Sequence, residues 1–453
     1  MVVMIRYPYP ITIMLRTGAE IIVSKNFRFN PAEDLIGKAI RSSDLAMLGH
    51  IKKLEIQILN KSSFIHSVSY KRPLFTIILL LMVFLLSACG GARQAGNWPS
   101  VSATDSHVYV AFAGDVVSLD VANQKEAWRF QGEGAVEFYA PPEVVPEEET
   151  VYLADFGRSG GILSGGALIV SMYALEDGTT NPPNTRWVKE DVIDGRIVAG
   201  LQIVDDLIFT GTSNNKIIAV SRNDGSLIWE SPTENAIWSQ PAGLNDTIFV
   251  TSIDRNIYAI NRTDGSEKWT HTLNGAGSGS PVVSADERLV YAGSFGGEVI
   301  ALNVDDGSEV WKAAADDWVW GAPVQIDNVL IYGDVSGNVY AVDSDTGASI
   351  WQATVNDSIV GDIVADGSTI LVASGNEETF VGHVTAFSIA GEELWETQTT
   401  AHIQSSPALM GDSGQLAVVF GDVTNDVTLG VNIIDTANGS IGWTWTLTEA
   451  EAE

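Results

Sequence analysis

Ala219-Val-Ser-Arg-Asn-Asp-Gly225-Ser-Leu-Ile-Trp229 decides the fold, because the same phrase returns three more times. Ala259…Gly265…Trp269, Ala301…Gly307…Trp311 and Ala341…Gly347…Trp351 all read A-x5-G-x3-W. Weaker copies flank them. Ser118…Trp128 carries Gln124 in the glycine slot, and Ala174…Trp187 carries an insertion. Ala386…Gly391…Trp395 is one residue short, and Ile433…Gly439…Trp443 ends the series. The eight tryptophans stand 59, 42, 40, 42, 40, 44 and 48 residues apart. Self-similarity at a period near 40 marks a repeat architecture and overrides any domain count based on length.

Each unit has one internal grammar. A small residue and proline open a short apolar segment, as in Gln240-Pro241-Ala242, Ser280-Pro281-Val282, Ala322-Pro323-Val324 and Ser406-Pro407-Ala408. An Asp/Asn/Gly turn follows, then β-rich runs such as Thr247–Val250 and Ile257–Ile260, and a last turn delivers the tryptophan strand. Four short strands and three tight turns per unit predict an all-β, eight-bladed β-propeller of four-stranded antiparallel blades over 98–449. Glycine supplies the left-handed turn position. The indole fills the gap between wedge-shaped sheets. Asp224, Asp264, Asp306 and Asp345 are expected to bond their own turns. Asp343-Ser-Asp345-Thr-Gly347 lacks the remaining ligands of a calcium loop. Every repeat is complete in chain order, which leaves ring closure open; Gln94–Ser100 is the candidate for an added strand beside the last blade.

Charge narrows the partners. Residues 1–88 hold 11 basic and 5 acidic residues of the chain's 25 and 57, leaving 14 and 52 from Cys89 onward, a net charge of −38. Such a surface repels phosphate backbones, so nucleic acid is not an expected partner. A soluble, non-adhesive exterior is the expected reading of the acidity, with an acid-specific binding site as the alternative.

Lys71-Arg72, the apolar run Leu74–Leu86 and Ser87-Ala88-Cys89-Gly90-Gly91 have the layout of an export signal over 71–88. The run is too short to span a bilayer comfortably. Leu86-Ser87-Ala88-Cys89 resembles the lipobox of bacterial lipoproteins. That resemblance implies cleavage before Cys89, the only cysteine, acylation of its thiol, and a linker over 89–97. Two or more acyl chains give stable anchoring where one does not. Residues 1–70 show neither repeat nor export signal; they read as a mis-called start, with translation beginning near Val68, or as an unstructured extension.

The units resemble the PQQ-like (quinoprotein) repeat, whose tryptophan-docking motif has this A…G…W form. Eight such repeats behind a lipobox resemble the lipoproteins of the outer-membrane β-barrel assembly machinery. The resemblance implies a non-catalytic interaction scaffold, its partners envelope proteins including a barrel-assembly machine. Its place would be the periplasmic side of the outer membrane, or the outer face of the plasma membrane in a cell without one. A monomeric propeller is expected. A ligand- or glycan-binding envelope sensor is the alternative. A PQQ-dependent dehydrogenase is a weaker one, since many carry an adjacent cysteine pair that this chain cannot supply; no cofactor and no metal are expected. His107, His271, His383 and His402 fall in four repeats with no common slot and read as turn or surface residues. The segments ahead of each first strand should lie nearest the axis. Three of them carry unusual residues: Trp238-Ser239-Gln240, Trp318-Val319-Trp320 and Ile403-Gln404-Ser405. Trp238, Trp318, Trp320 and Gln404 are therefore the candidate partner-binding residues. Loop aromatics are favoured at binding hot spots.

Overall fold

A computed structural model describes residues 99–447, apart from 133, 135, 160–167, 377–378 and 422–428, together with three short strands near the N-terminus. Those three, Val3–Arg6, Ile11–Arg16 and Glu20–Lys25, form an antiparallel meander in a separate unit, Met1–Ala92. The expected signal segment and Cys89 lie outside the described residues.

The second unit carries eight four-stranded antiparallel sheets. Blades one to eight occupy 100–131, 143–190, 202–232, 242–272, 282–314, 324–354, 364–399 and 408–446. Each sheet follows chain order, first strand to fourth, except that in blade two a two-stranded ribbon (Arg158–Ser159 with Leu168–Ile169) interrupts the sequence. First strands of several neighbouring blades approach one another, which sets them around the axis. The fourth strands form the rim.

Burial follows from that placement. Middle strands such as Thr247–Thr251 and Asn256–Asn261 are buried along nearly their whole length, because a neighbouring blade covers each face. Rim strands alternate: in Leu227–Pro232 the buried positions are Trp229 and Ser231. The core is accordingly a series of interfaces rather than one mass. Each of eight apolar clusters joins two adjacent blades, as Phe209, Trp229, Ile248 and Val250 join three and four.

The same clustering shows how the ring closes. Val108, Val110 and Leu119 of blade one pack with Ala417, Val431 and Ile433 of blade eight. Among the described residues no strand is exchanged. Ser100, expected at the end of an extra strand on the last blade, instead begins the first strand of blade one and pairs with Ala111. Closure therefore rests on side-chain packing between two sheets that are each complete.

Candidate functional site

The motif tryptophans belong to the scaffold. In every blade the motif residue ahead of the tryptophan faces it across the last two strands, as Ala219 faces Trp229, and the register shifts at once afterwards. This bulge turns the indole toward the next blade. Its N–H donates to a backbone carbonyl there: Trp187 to Arg222, Trp229 to Arg262, Trp269 to Val304, Trp311 to Ser344, Trp351 to Ile389 and Trp395 to Thr436, at 2.8–3.1 Å. Just beyond each acceptor lies the motif glycine of that next blade. A Cβ placed on Gly225, Gly265, Gly307, Gly347, Gly391 or Gly439 would stand 2.5–2.7 Å from the incoming ring. The glycine thus serves twice, as a left-handed turn position (φ 69–83°) and as the seat of the preceding blade's indole. Only the first role is visible within one repeat.

Two seams depart from the rule. Trp128 donates to the Asp177 carboxylate at 2.9 Å, in the turn that the insertion of blade two enlarges. Trp443, facing blade one, meets a blade with Gln124 (φ 51°) in the glycine slot, and its indole N–H makes no hydrogen bond among the described residues. The turn carboxylates behave as expected at Asp224, Asp264 and Asp306, which accept from the following serine's N–H at 2.9–3.1 Å and from its hydroxyl. These bonds hold all three below the ordinary aspartate range. Asp345 does not. Asp343 bonds that turn through Thr346, while Asp345 pairs with Arg288 of blade five.

The loops entering each blade share one face with the loops between second and third strands. The two sets are clamped together. Ile253 N–H donates to the Ala236 carbonyl, Phe295 to Ala276, Val335 to Trp318 and Gly421 to His402, at 2.8–3.0 Å. Ala242, Val282, Val324 and Ala408 pair with Phe249, Tyr291, Ile331 and Ala417 at one register. Four residues ahead of them stand Trp238, Ser278, Trp320 and Gln404. Three of the four candidates thus hold equivalent places around the mouth of the ring. One residue ahead of that place, Ile237, Val319 and Ile403 plug into the core; Gly277 replaces the plug, with Thr251 where its side chain would lie. Buried plugs fix the loops while their neighbours project.

Trp238 and Trp318 are 42% and 48% exposed; Trp320 and Gln404 are half-buried. Phe295 brings two of the candidates together. Its ring stacks on Trp318 (centroids 5.0 Å apart, 14° between planes) and touches Trp320 (4.9 Å, 32°). Since the inner face of Trp318 rests on Phe295, its exposed area is the outer face. Sequence reasoning missed Phe295 because it stands alone between a strand and two glycines; the signal was its place, equivalent to Ile253 and Val335. Phe380, 45% exposed and edge-on to His402 (5.7 Å), was missed too. His402 corrects the expectation of surface histidines: it is fully buried in the loop entering blade eight. His383 is half-buried on a middle strand, its Nδ1 2.9 Å from Asp357. On the same face, Arg196 lies over the Phe156 ring at 4.3 Å, and Tyr139 packs edge-on to Phe156.

Around the axis, consecutive entering loops are tied together. Gln240 N–H donates to Ser280 Oγ (3.1 Å), Ala322 N–H to Asp362 Oδ1 (2.6 Å) and Asp362 N–H to Ser406 Oγ (2.9 Å). Desolvation pushes the Asp362 carboxyl up. It pushes Glu143, on the first strand of blade two, up to about 7. Among the described residues no group of three His, Cys, Asp or Glu side chains is placed to hold a metal ion.

Comparison with known proteins follows the same lines. The family model described as outer membrane protein assembly factor BamB matches residues 184–317 and 296–453, more than half of the chain. The chain belongs to this family. It is a PQQ-like repeat propeller that resembles BamB. Among solved structures, the crystal structure of BamB from Moraxella catarrhalis is similar at 18% identity and TM-score 0.57, over 72% of this chain and 96% of that one. A computationally designed protein, Ika8, is similar at 12% identity and TM-score 0.56, over 72% of this chain and 94% of its own. Likeness at such identities concerns the fold. No curated protein matches the sequence.

Proposed function

We propose that the chain is a lipid-anchored, non-catalytic scaffold of the cell envelope that binds partner proteins through the face carrying the entering loops. One observation carries the reading: all three exposed aromatic side chains among the described residues, Trp238, Trp318 and Phe380, stand on this face, while exposed aliphatics such as Ile228, Val310 and Ile350 stand on the rim. Exposing an indole costs the favourable burial of a large apolar surface. All eight motif indoles face seams between blades, whereas Trp238 and Trp318 are held outward on anchored loops. Aromatic anchors on rigid supports are what protein interfaces use as hot spots.

Membership in the assembly-factor family supports an envelope partner, the barrel-assembly machinery by that analogy. The lipobox-like Leu86–Cys89 supports acylation at Cys89, placing the ring at the periplasmic side of an outer membrane where one exists. The test is cross-linking in intact envelopes followed by purification of the full chain. Wild type should carry a discrete envelope protein, and Trp238→Ala with Trp318→Ala should lose it. Recovery of the chain alone from both would refute the scaffold reading.

A further inference from the structure

The charges around the exposed indoles specify what the face accepts. From 233 to 363, the loops of this face carry seven acidic residues (Glu234, Asp254, Asp316, Asp317, Asp334, Asp357 and Asp362) and one basic residue, Arg255. Four acids are occupied structurally: Asp254 accepts from the N–H groups of Glu234, Asn235 and Asn256 and from the Tyr258 hydroxyl, and Asp357 lies 2.9 Å from His383 Nδ1. Asp334 is buried and accepts from Ser336, Asn338 and Tyr340, and Asp362 ties loops at the axis. The other three lie in the loops that carry Trp238 and Trp318. Glu234 is exposed, in the loop of Trp238. Asp316 is exposed and Asp317 half-buried, immediately before Trp318. Asp317 is oriented by the Trp318 N–H (2.9 Å) and by Ser336 Oγ (2.9 Å).

Trp318 is held from both sides. Its carbonyl accepts from Val335 N–H of blade six at 3.0 Å, and its indole rests on Phe295 of blade five. An indole stacked on one face and open on the other, with two acidic residues immediately before it in the chain, attracts a cation twice, through the ring quadrupole and through Coulomb attraction. A planar guanidinium fits best, since it stacks on the ring and keeps its edge donors for carboxylates. Phosphates and other anions are repelled by the same carboxylates.

We propose that this sector binds an arginine-bearing segment of a partner protein, with a guanidinium stacked on Trp318 between Asp316 and Asp317. The proposal rests on the scaffold reading and gives its partner a chemistry.

The test titrates the intact chain with acetyl-(Gly-Arg)3-amide, following tryptophan fluorescence, with (Gly-Lys)3, (Gly-Glu)3 and chitohexaose as comparison probes. The arginine peptide should bind tightest and weaken with salt. Trp318→Ala should weaken it about tenfold and Asp316→Asn several-fold, while Trp318→Phe keeps most of the binding. Equal affinity of wild type and Trp318→Ala for the arginine peptide overturns the proposal, as does preference for chitohexaose, which would make the platform a glycan site. An envelope cross-link that survives in the Trp318→Ala, Asp316→Asn variant also overturns it and leaves the scaffold reading standing. Trp318-dependent arginine binding without any envelope cross-link supports the platform and refutes the scaffold.

Discussion

The indole of Trp229 lies on the backbone of Gly265, a residue of the next blade, so closely that a Cβ there would stand 2.7 Å from its Cε3. The ring N–H meanwhile donates to Arg262 carbonyl at 3.0 Å. One blade's rim strand and the next blade's turn therefore form one joint, repeated around the propeller.

Gly265→Ala should consequently cost about 2–4 kcal/mol, combining a left-handed φ with overpacking against the ring. Trp229→Ala should cost about 3–5 kcal/mol by leaving a cavity in the seam. Thermal or urea unfolding checks both. A loss below about 1 kcal/mol at Gly265 would mean that the seam relaxes freely.

The exposed indoles should behave otherwise. Trp238→Ala should change stability by less than about 0.5 kcal/mol. Trp318→Ala should cost about 0.5–1.5 kcal/mol, the worth of its stack on Phe295. Trp320→Ala, half-buried, should cost more than either. The same unfolding series ranks them, and a Trp238 loss as large as that at Trp229 would place it in the core.

Glu143 predicts a pH dependence. Burial raises its carboxyl from an ordinary value near 4.5 to about 7, so the folded state binds the proton more tightly than the unfolded chain. The contribution of Glu143 to stability is thus fully present below about 4.5, is lost as pH rises to about 7 and is constant above. Each pKa unit is worth about 1.4 kcal/mol, giving up to about 3 kcal/mol in all. Glu143→Gln should remove this slope and raise the melting temperature at pH 8. Asp362, also raised, adds a slope of the same sign. Parallel melting curves of wild type and variant between pH 5 and 8 would exclude the effect.

Among the described residues, the seam between blades eight and one has neither a glycine seat nor an indole hydrogen bond. Amides of the first and last blades should exchange with deuterium ahead of those in blades three to six. Gln124→Gly should stabilise the ring by about 1 kcal/mol by relieving a left-handed glutamine. Uniform exchange around the ring would show that packing at Val108, Val431 and Ile433 suffices.

Much of this was legible because the repeat writes its period into the sequence: blade number, strand number and the left-handed glycines all followed from A-x5-G-x3-W. Relations between repeats were not. That Gly265 seats Trp229, that Asp177 replaces a carbonyl for Trp128, and that Phe295 reaches Trp318 are contacts across blades, with nothing local to announce them. Trp238, Trp318 and Trp320 stood out because no motif position required them, but exposure separated the first two from Trp320 only in three dimensions. His402 and Asp345 were misjudged because a histidine's burial and an aspartate's choice of partner depend on the neighbouring loop.

The most direct test places a photo-cross-linking amino acid at Trp318, at Trp238 and, on the rim, at Ile350, in cells producing the full chain. Cross-links to an envelope protein from 318 and 238 but not from 350 are the predicted result. Cross-links from 350 alone, with none from the loop face, would contradict the account.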